Sequence, residues 1–275
     1  MIIARIVVIA SSPPHSTAAV RRGCYGRITT GENLAADRRA DSMRSMRPLF
    51  IVVRVLGAAA IVAAMVTQIA NNFRIWRDLG IVHLENIPIN FFSYFTIDSN
   101  VGTVVVFLIG AVVLLRRMDD PRWFGILRAC VTAYMTVTGI VYNTLLRGID
   151  IPVNMVVPWT NEVLHVVGPA LVVLDWMFAP GRIRLEWKNL WWVVSFPIVW
   201  AIYTMIRGPL AYNDVAQKRT WYPYPFLDPA NSPEGYVSVA FYIVLIAAVI
   251  CGVGAAVIWV SRRAVRWPLG VRSAG

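Results

Sequence analysis

"FFSYFTIDSNVGTVVVFLIGAVVLL", residues 91–115, is a stretch whose only charged residue is Asp98. Its length meets the requirement of about 20 mainly apolar residues for a helix that crosses a bilayer. Its first third, however, carries Ser93, Thr96, Asp98, Ser99 and Asn100. Hydrocarbon penalises each of these groups unless the protein itself satisfies it. On a helix, Ser93, Thr96, Asn100 and Thr103 recur at spacings of three and four and form one polar stripe. The segment is therefore expected to be a membrane helix with something to do at its polar end.

The rest of the chain supports a membrane setting. Of 275 residues, 57% are hydrophobic and 15% charged, and the mean hydropathy is +0.59, well outside the balance of soluble domains. Six segments are long and apolar enough to span: about 49–70, 92–115, 124–146, 156–178, 189–207 and 236–260. The expected fold is thus all-α, a polytopic bundle of six transmembrane helices over 48–262. Residues 1–47 are polar and Arg-rich without apolar periodicity, so no regular structure is expected there. Arg5 interrupts the apolar "MIIARIVVIA", which argues against a signal peptide; a true start at Met43 or Met46 would remove the segment altogether. Residues 263–275 read as a short basic tail.

The net charge of +11 would suggest nucleic acid in a soluble protein, but here the basic residues lie between the apolar runs. Outside the spans, 18 Lys and Arg fall on one side and 6 on the other, which predicts both termini in the cytoplasm and no nucleic-acid partner. Cys24, Cys130 and Cys251 are far apart and suggest neither a disulfide framework nor a metal cluster. The segment 207–236 has five prolines and an aromatic cluster, which predicts an ordered cap over the bundle.

A second polar stripe, Asn161, Glu162 and His165, lies in the fourth span, and Asn143 and Arg147 close the third. An ionisable residue well inside a span is a functional candidate by default. A threonine hydroxyl is a poor nucleophile until a base removes its proton, and a neutral imidazole can do that. Thr96 and His165 are the candidate pair, with Ser93, Asn100, Asn143, Asn161 and Glu162 as supporting polar groups. Asn100, Asn143 and Ser93 are the candidates to stabilise an oxyanion. Two other readings stand beside this one. Glu162, His165, Asp98 and Arg147 could form the relay of a proton-coupled transporter, although no internal repeat is visible. Alternatively, the polar groups only hold helices together, as Ser and Thr in membrane helices commonly do. Arg54 and Arg128 are expected to snorkel to the cytoplasmic boundary.

"FFSYFTIDSN" (91–100), "WTNEVLHVVGPALVVLDW" (159–176) and "YPYPFLDP" (222–229), in that order, resemble the prokaryotic six-span Pr6Pr membrane proteins, which are similar in turn to the eukaryotic androgen-induced (FAR-17a type) membrane hydrolases. The resemblance covers about 49–260. It implies an intramembrane threonine hydrolase of fatty acyl esters in a bacterial inner membrane, with Thr96 as nucleophile, His165 as base, membrane lipids as surroundings and no cofactor or metal.

Overall fold

The structure, a computed structural model, describes residues 22–149 and 155–263. Met1–Ser45 and Met46–Gly275 are separate compact units. In the first, residues 22–44 are helical, where the composition of 1–47 led us to expect no regular structure. The Ala, Leu, Arg and Met content of "ENLAADRRADSMRSMR" explains the difference, since these are strong helix formers. Residues 1–21 and 264–275, the basic tail among them, lie outside the described residues.

Among the described residues six helices are long and apolar enough to cross a membrane: α1 (Ser45–Asp78), α3 (Phe95–Leu115), α4 (Arg122–Leu146), α5 (Pro158–Phe178), α6 (Trp187–Arg207) and α7 (Tyr236–Ser261). A short helix, α2 (Asn86–Phe91), lies between the first two. The described residues hold no strand, only one isolated bridge, Asn213 to Lys218. This is the expected outcome in lipid, where a helix satisfies its own backbone. The expected spans agree to within a few residues except at the end of α1, which continues through "NNFRIWRD" to Asp78 and buries Trp76.

The central helix is α4, which packs against α3, α5, α6 and α7 and has two thirds of its apolar window buried. By contrast α7, the most apolar of the six, is among the least buried. The apolar faces left over, such as Leu56, Val66, Val237 and Val244, are too extensive for a protein surface in water. They fit the membrane setting that the six long apolar helices suggest.

One end of the bundle is locked by buried charge. Arg54 of α1 donates to both carboxylate oxygens of Asp175 in α5, at 2.7 and 3.0 Å. Arg128 of α4 reaches the same carboxylate at 2.9 Å and also pairs with Asp120. All four side chains are buried. The expected snorkelling of Arg54 and Arg128 is therefore corrected: each guanidinium finds a carboxylate within the bundle, which removes the reason to reach for the boundary. Gly110 of α3 makes room, since a Cβ there would stand 2.5 Å from the Arg54 guanidinium.

The opposite end is capped by the 208–235 segment. Trp221 N–H donates to Gly208 O at 2.9 Å, the Arg207 guanidinium lies 4.6 Å over the Trp221 ring, and Tyr94 meets Trp221 and Tyr224 edge to face. Asn86 donates to Asp214 at 2.9 Å, joining this cap to the connection before α3. Prolines at 223, 225 and 229 restrict the chain to extended backbone and tight turns. This cap positions Tyr224 over the start of α3.

Candidate functional site

Thr96 is the second residue of α3, so its N–H belongs to the first turn and has no partner within the helix. Tyr224 supplies one: its hydroxyl oxygen accepts Thr96 N–H at 3.2 Å and lies 3.0 Å from Thr96 Oγ1. Four residues on, the Asn100 amide donates to Thr96 O at 2.8 Å and to Leu164 O at 3.1 Å. One side chain thus fixes the residue before His165 to the nucleophile candidate's own carbonyl.

His165 sits in a widened turn. Over Val163–Val167 the helix bonds five residues back, with Gly168 N–H donating to Val163 O. Pro169 explains the widening, because it has no N–H for the carbonyl four residues earlier, that of His165, and its ring would clash there in a regular helix. A second such turn, Tyr142–Leu146, ends α4, where Arg147 N–H donates to Tyr142 O at 2.8 Å. The two turns bring Tyr142 onto His165 with ring centroids 4.3 Å apart and planes tilted by 30°. His165 Nδ1 lies 2.9 Å from Asn161 O. A carbonyl oxygen only accepts, so Nδ1 carries the proton and Nε2 keeps the lone pair of a base. Asn161 donates its amide to the Tyr142 hydroxyl at 2.6 Å, which closes the support around the ring.

Thr96 and His165 both line a chamber of about 580 Å³ beneath the cap. No hydrogen bond joins them; the Thr96 hydroxyl is bonded to Tyr224 instead. Thr96 and Tyr224 also line a second cavity of about 550 Å³, an apolar cleft that follows α6 and α7 from Trp187 and Trp191 to Phe226. From Trp187 to Met205 the helical rise gives about 27 Å, close to the hydrocarbon thickness of a bilayer. Thr96 therefore stands in the wall common to an apolar cleft and a chamber with a larger share of polar groups.

The supporting residues separate. Asn161 and Asn100 belong to this arrangement as described. Ser93 is buried nearby, but its hydroxyl donates to Ile89 O at 2.7 Å and meets the Tyr203 hydroxyl at 2.9 Å, so it anchors the entry to α3 on α6. Asn143 is exposed, with its amide donating to Gly139 O one turn back. Glu162 is exposed and paired with Arg147 at 2.6 Å. Neither lines the chamber. Asn143 lies within the widened turn at 142–146, where regular helical spacing no longer tells which way a side chain faces. Glu162 directly follows Asn161 and so points to a different side of α5 from the Asn161 and His165 pair. Asn100 and Ser93, with Asn143, were the expected oxyanion donors, yet all three are engaged with backbone carbonyls. Tyr224 and Tyr142 were missed as site residues. The only signal for Tyr224 was the proline-rigid "YPYPFLDP", and Tyr142 had none beyond lying four residues before Leu146 at the end of the span.

Asp98 is half-buried, makes no side-chain hydrogen bond or ion pair among the described residues, and does not line either cavity. Burial pushes the Tyr224 phenol up to about 12, so its hydroxyl is neutral and available as a donor throughout the physiological range. No family model matches the chain, and no curated protein or solved structure does so either.

Proposed function

We propose that the chain is an intramembrane hydrolase of lipid esters, with Thr96 as nucleophile and His165 as general base. The observation that carries this reading is the position of Thr96 between the two cavities, with His165 lining the chamber that also holds most of the polar groups. An ester bound across that wall would lay its acyl chain in the apolar cleft and its alcohol half in the chamber. The resemblance of the three motifs to the Pr6Pr and androgen-induced hydrolase proteins points to the same pair of residues.

In the proposed reaction Thr96 Oγ1 attacks the ester carbonyl carbon while its proton passes to His165 Nε2. The carbonyl oxygen becomes an oxyanion close to the Tyr224 hydroxyl and the positive end of α3. Collapse breaks the bond to the alkoxy oxygen, which leaves with the proton from Nε2. Water then attacks the acyl-Thr96 ester, gives a proton to Nε2 and releases the fatty acid, and the proton returns to Thr96. The charge asymmetry of the loops favours both termini in the cytoplasm of a bacterial cell, with the chamber on the outer side.

Purified protein treated with a fluorophosphonate probe should be labelled, and Thr96→Ala and His165→Ala should each abolish labelling and ester hydrolysis while eluting as folded protein. Full labelling of both variants would remove the assignment.

A further inference from the structure

We propose that the chamber binds a neutral, hydroxyl-rich head group, so that the ester cleaved at Thr96 joins an acyl chain to a polyol such as glycerol or a sugar. This rests on the hydrolase reading above and adds the chemistry of the alcohol half.

The wall of the chamber is rich in amides: Gln68, Asn72, Asn90, Asn161, Asn213 and Asn231 all face it. Several have one end occupied by the protein. Asn72 Oδ1 accepts from Gln68, Asn90 Oδ1 accepts from Arg207, and Asn213 Oδ1 accepts from Ala216 N–H, which leaves three amide NH2 groups to donate. Asn161 and Asn231 are occupied the other way, by donating to the Tyr142 hydroxyl and to Pro225 O, which leaves two amide oxygens to accept. A hydroxyl group both donates and accepts, and a polyol presents several at once, so this mixture matches it. Trp76 and Trp221 add flat apolar surface of the kind that packs against the C–H faces of such molecules.

Charge excludes the obvious competitors. Among the described residues the wall holds one cation, Lys218, and one carboxylate, Asp228. A phosphate or carboxylate head calls for a guanidinium fork or several cations. The Arg207 guanidinium donates to Asn90 Oδ1 at 2.6 Å, lies over Trp221 and does not line the chamber. Arg147 is paired with Glu162.

The test uses the full chain in nanodiscs. For binding, Thr96→Ala is melted with a 1-O-alkylglycerol ether, an alkyl phosphate and a fatty acid of equal chain length. For turnover, the wild type is given a monoacylglycerol, a lysophosphatidic acid and a fatty acyl ester of a hydroxy fatty acid. The expected result is a rise in melting temperature with the alkylglycerol alone and a kcat/KM for the monoacylglycerol at least about tenfold above the two anionic esters. Asn72→Ala with Asn213→Ala should lower the preference for the monoacylglycerol over a simple alkyl ester by roughly three- to tenfold, the effect of a lost hydrogen bond or two. Stronger binding or faster turnover of either anionic head overturns the inference, even where Thr96-dependent hydrolysis is seen. Selective binding of the alkylglycerol with no hydrolysis of any ester upholds the head-group inference and removes the hydrolase reading.

Discussion

The Tyr224 hydroxyl touches Thr96 twice, at Oγ1 (3.0 Å) and at the backbone N–H (3.2 Å), although 128 residues separate them in the chain. The cap over the bundle is therefore bonded directly to the proposed nucleophile. As a neutral donor beside the carbonyl that Thr96 would attack, Tyr224 is placed to meet the oxyanion. Tyr224→Phe keeps the ring contacts with Tyr94 and Phe226 and removes only the hydroxyl. It should lower kcat by about 10²–10³ with little change in KM, the cost of losing one oxyanion donor. A purely structural role would instead show as a lower melting temperature with kcat intact.

The same phenol makes a prediction about pH. An isolated tyrosine ionises near 10.0, whereas burial raises Tyr224 to about 12. The folded state holds this proton more tightly than the unfolded one, so the contribution to stability is complete below pH 10 and is lost as pH climbs from 10 to 12. Its size is on the order of 3 kcal/mol. Thermal unfolding in detergent between pH 8 and 11.5 should show the wild type losing stability more steeply than Tyr224→Phe above pH 10. Parallel curves would mean that the Tyr224 phenol is not shielded from water.

The six spans were legible because hydropathy over some 20 residues is a sum that tertiary detail barely alters. Thr96, His165 and Asn161 could be singled out in the sequence because a polar group in an apolar run stands out against its background. Asn143, expected among the supporting groups, lies exposed: helical counting presumes a constant turn, and the widened turn at Tyr142–Leu146 breaks it. Pro169 sits in plain view but does not by itself announce whether a helix will kink, break or widen. Arg54 and Arg128 resemble boundary arginines in sequence, and only the convergence of three helices on Asp175 shows that they are interior. Tyr224 lay in a loop, where no periodicity ranks one aromatic above another.

That convergence predicts where the bundle is most fragile. Asp175→Ala would leave the Arg54 and Arg128 guanidiniums buried without their shared carboxylate, a change that typically costs about 3–5 kcal/mol. The variant should accumulate poorly and melt at a markedly lower temperature. Gly110, beside Arg54, lies 14 residues after Thr96, about 21 Å along the axis, so whatever protein does fold should keep its kcat. Near-normal melting would show that water or lipid head groups reach this cluster.

The widened turn around His165 gives the most discriminating prediction. Proline inside a helix is unfavourable, by about 3 kcal/mol in a regular one, and here it falls four residues after the proposed base. Gly139 of α4 accommodates it closely: a Cβ there would lie 3.1 Å from Pro169 Cβ and 3.6 Å from His165 O. Two neighbouring helices thus share one irregularity, and the ring it orients is the one stacked on Tyr142. Pro169→Ala restores the missing N–H and lets α5 return to regular bonding four residues back, which absorbs the extra residue and turns His165 off the face it shares with Tyr142. The variant should melt at the same temperature as the wild type or higher, while kcat falls by at least about tenfold, the usual trade when strain at a working site is relieved. Loss of stability and activity together would mark Pro169 as a packing residue, and unchanged kcat would show that the turn has no part in presenting Nε2 to the chamber.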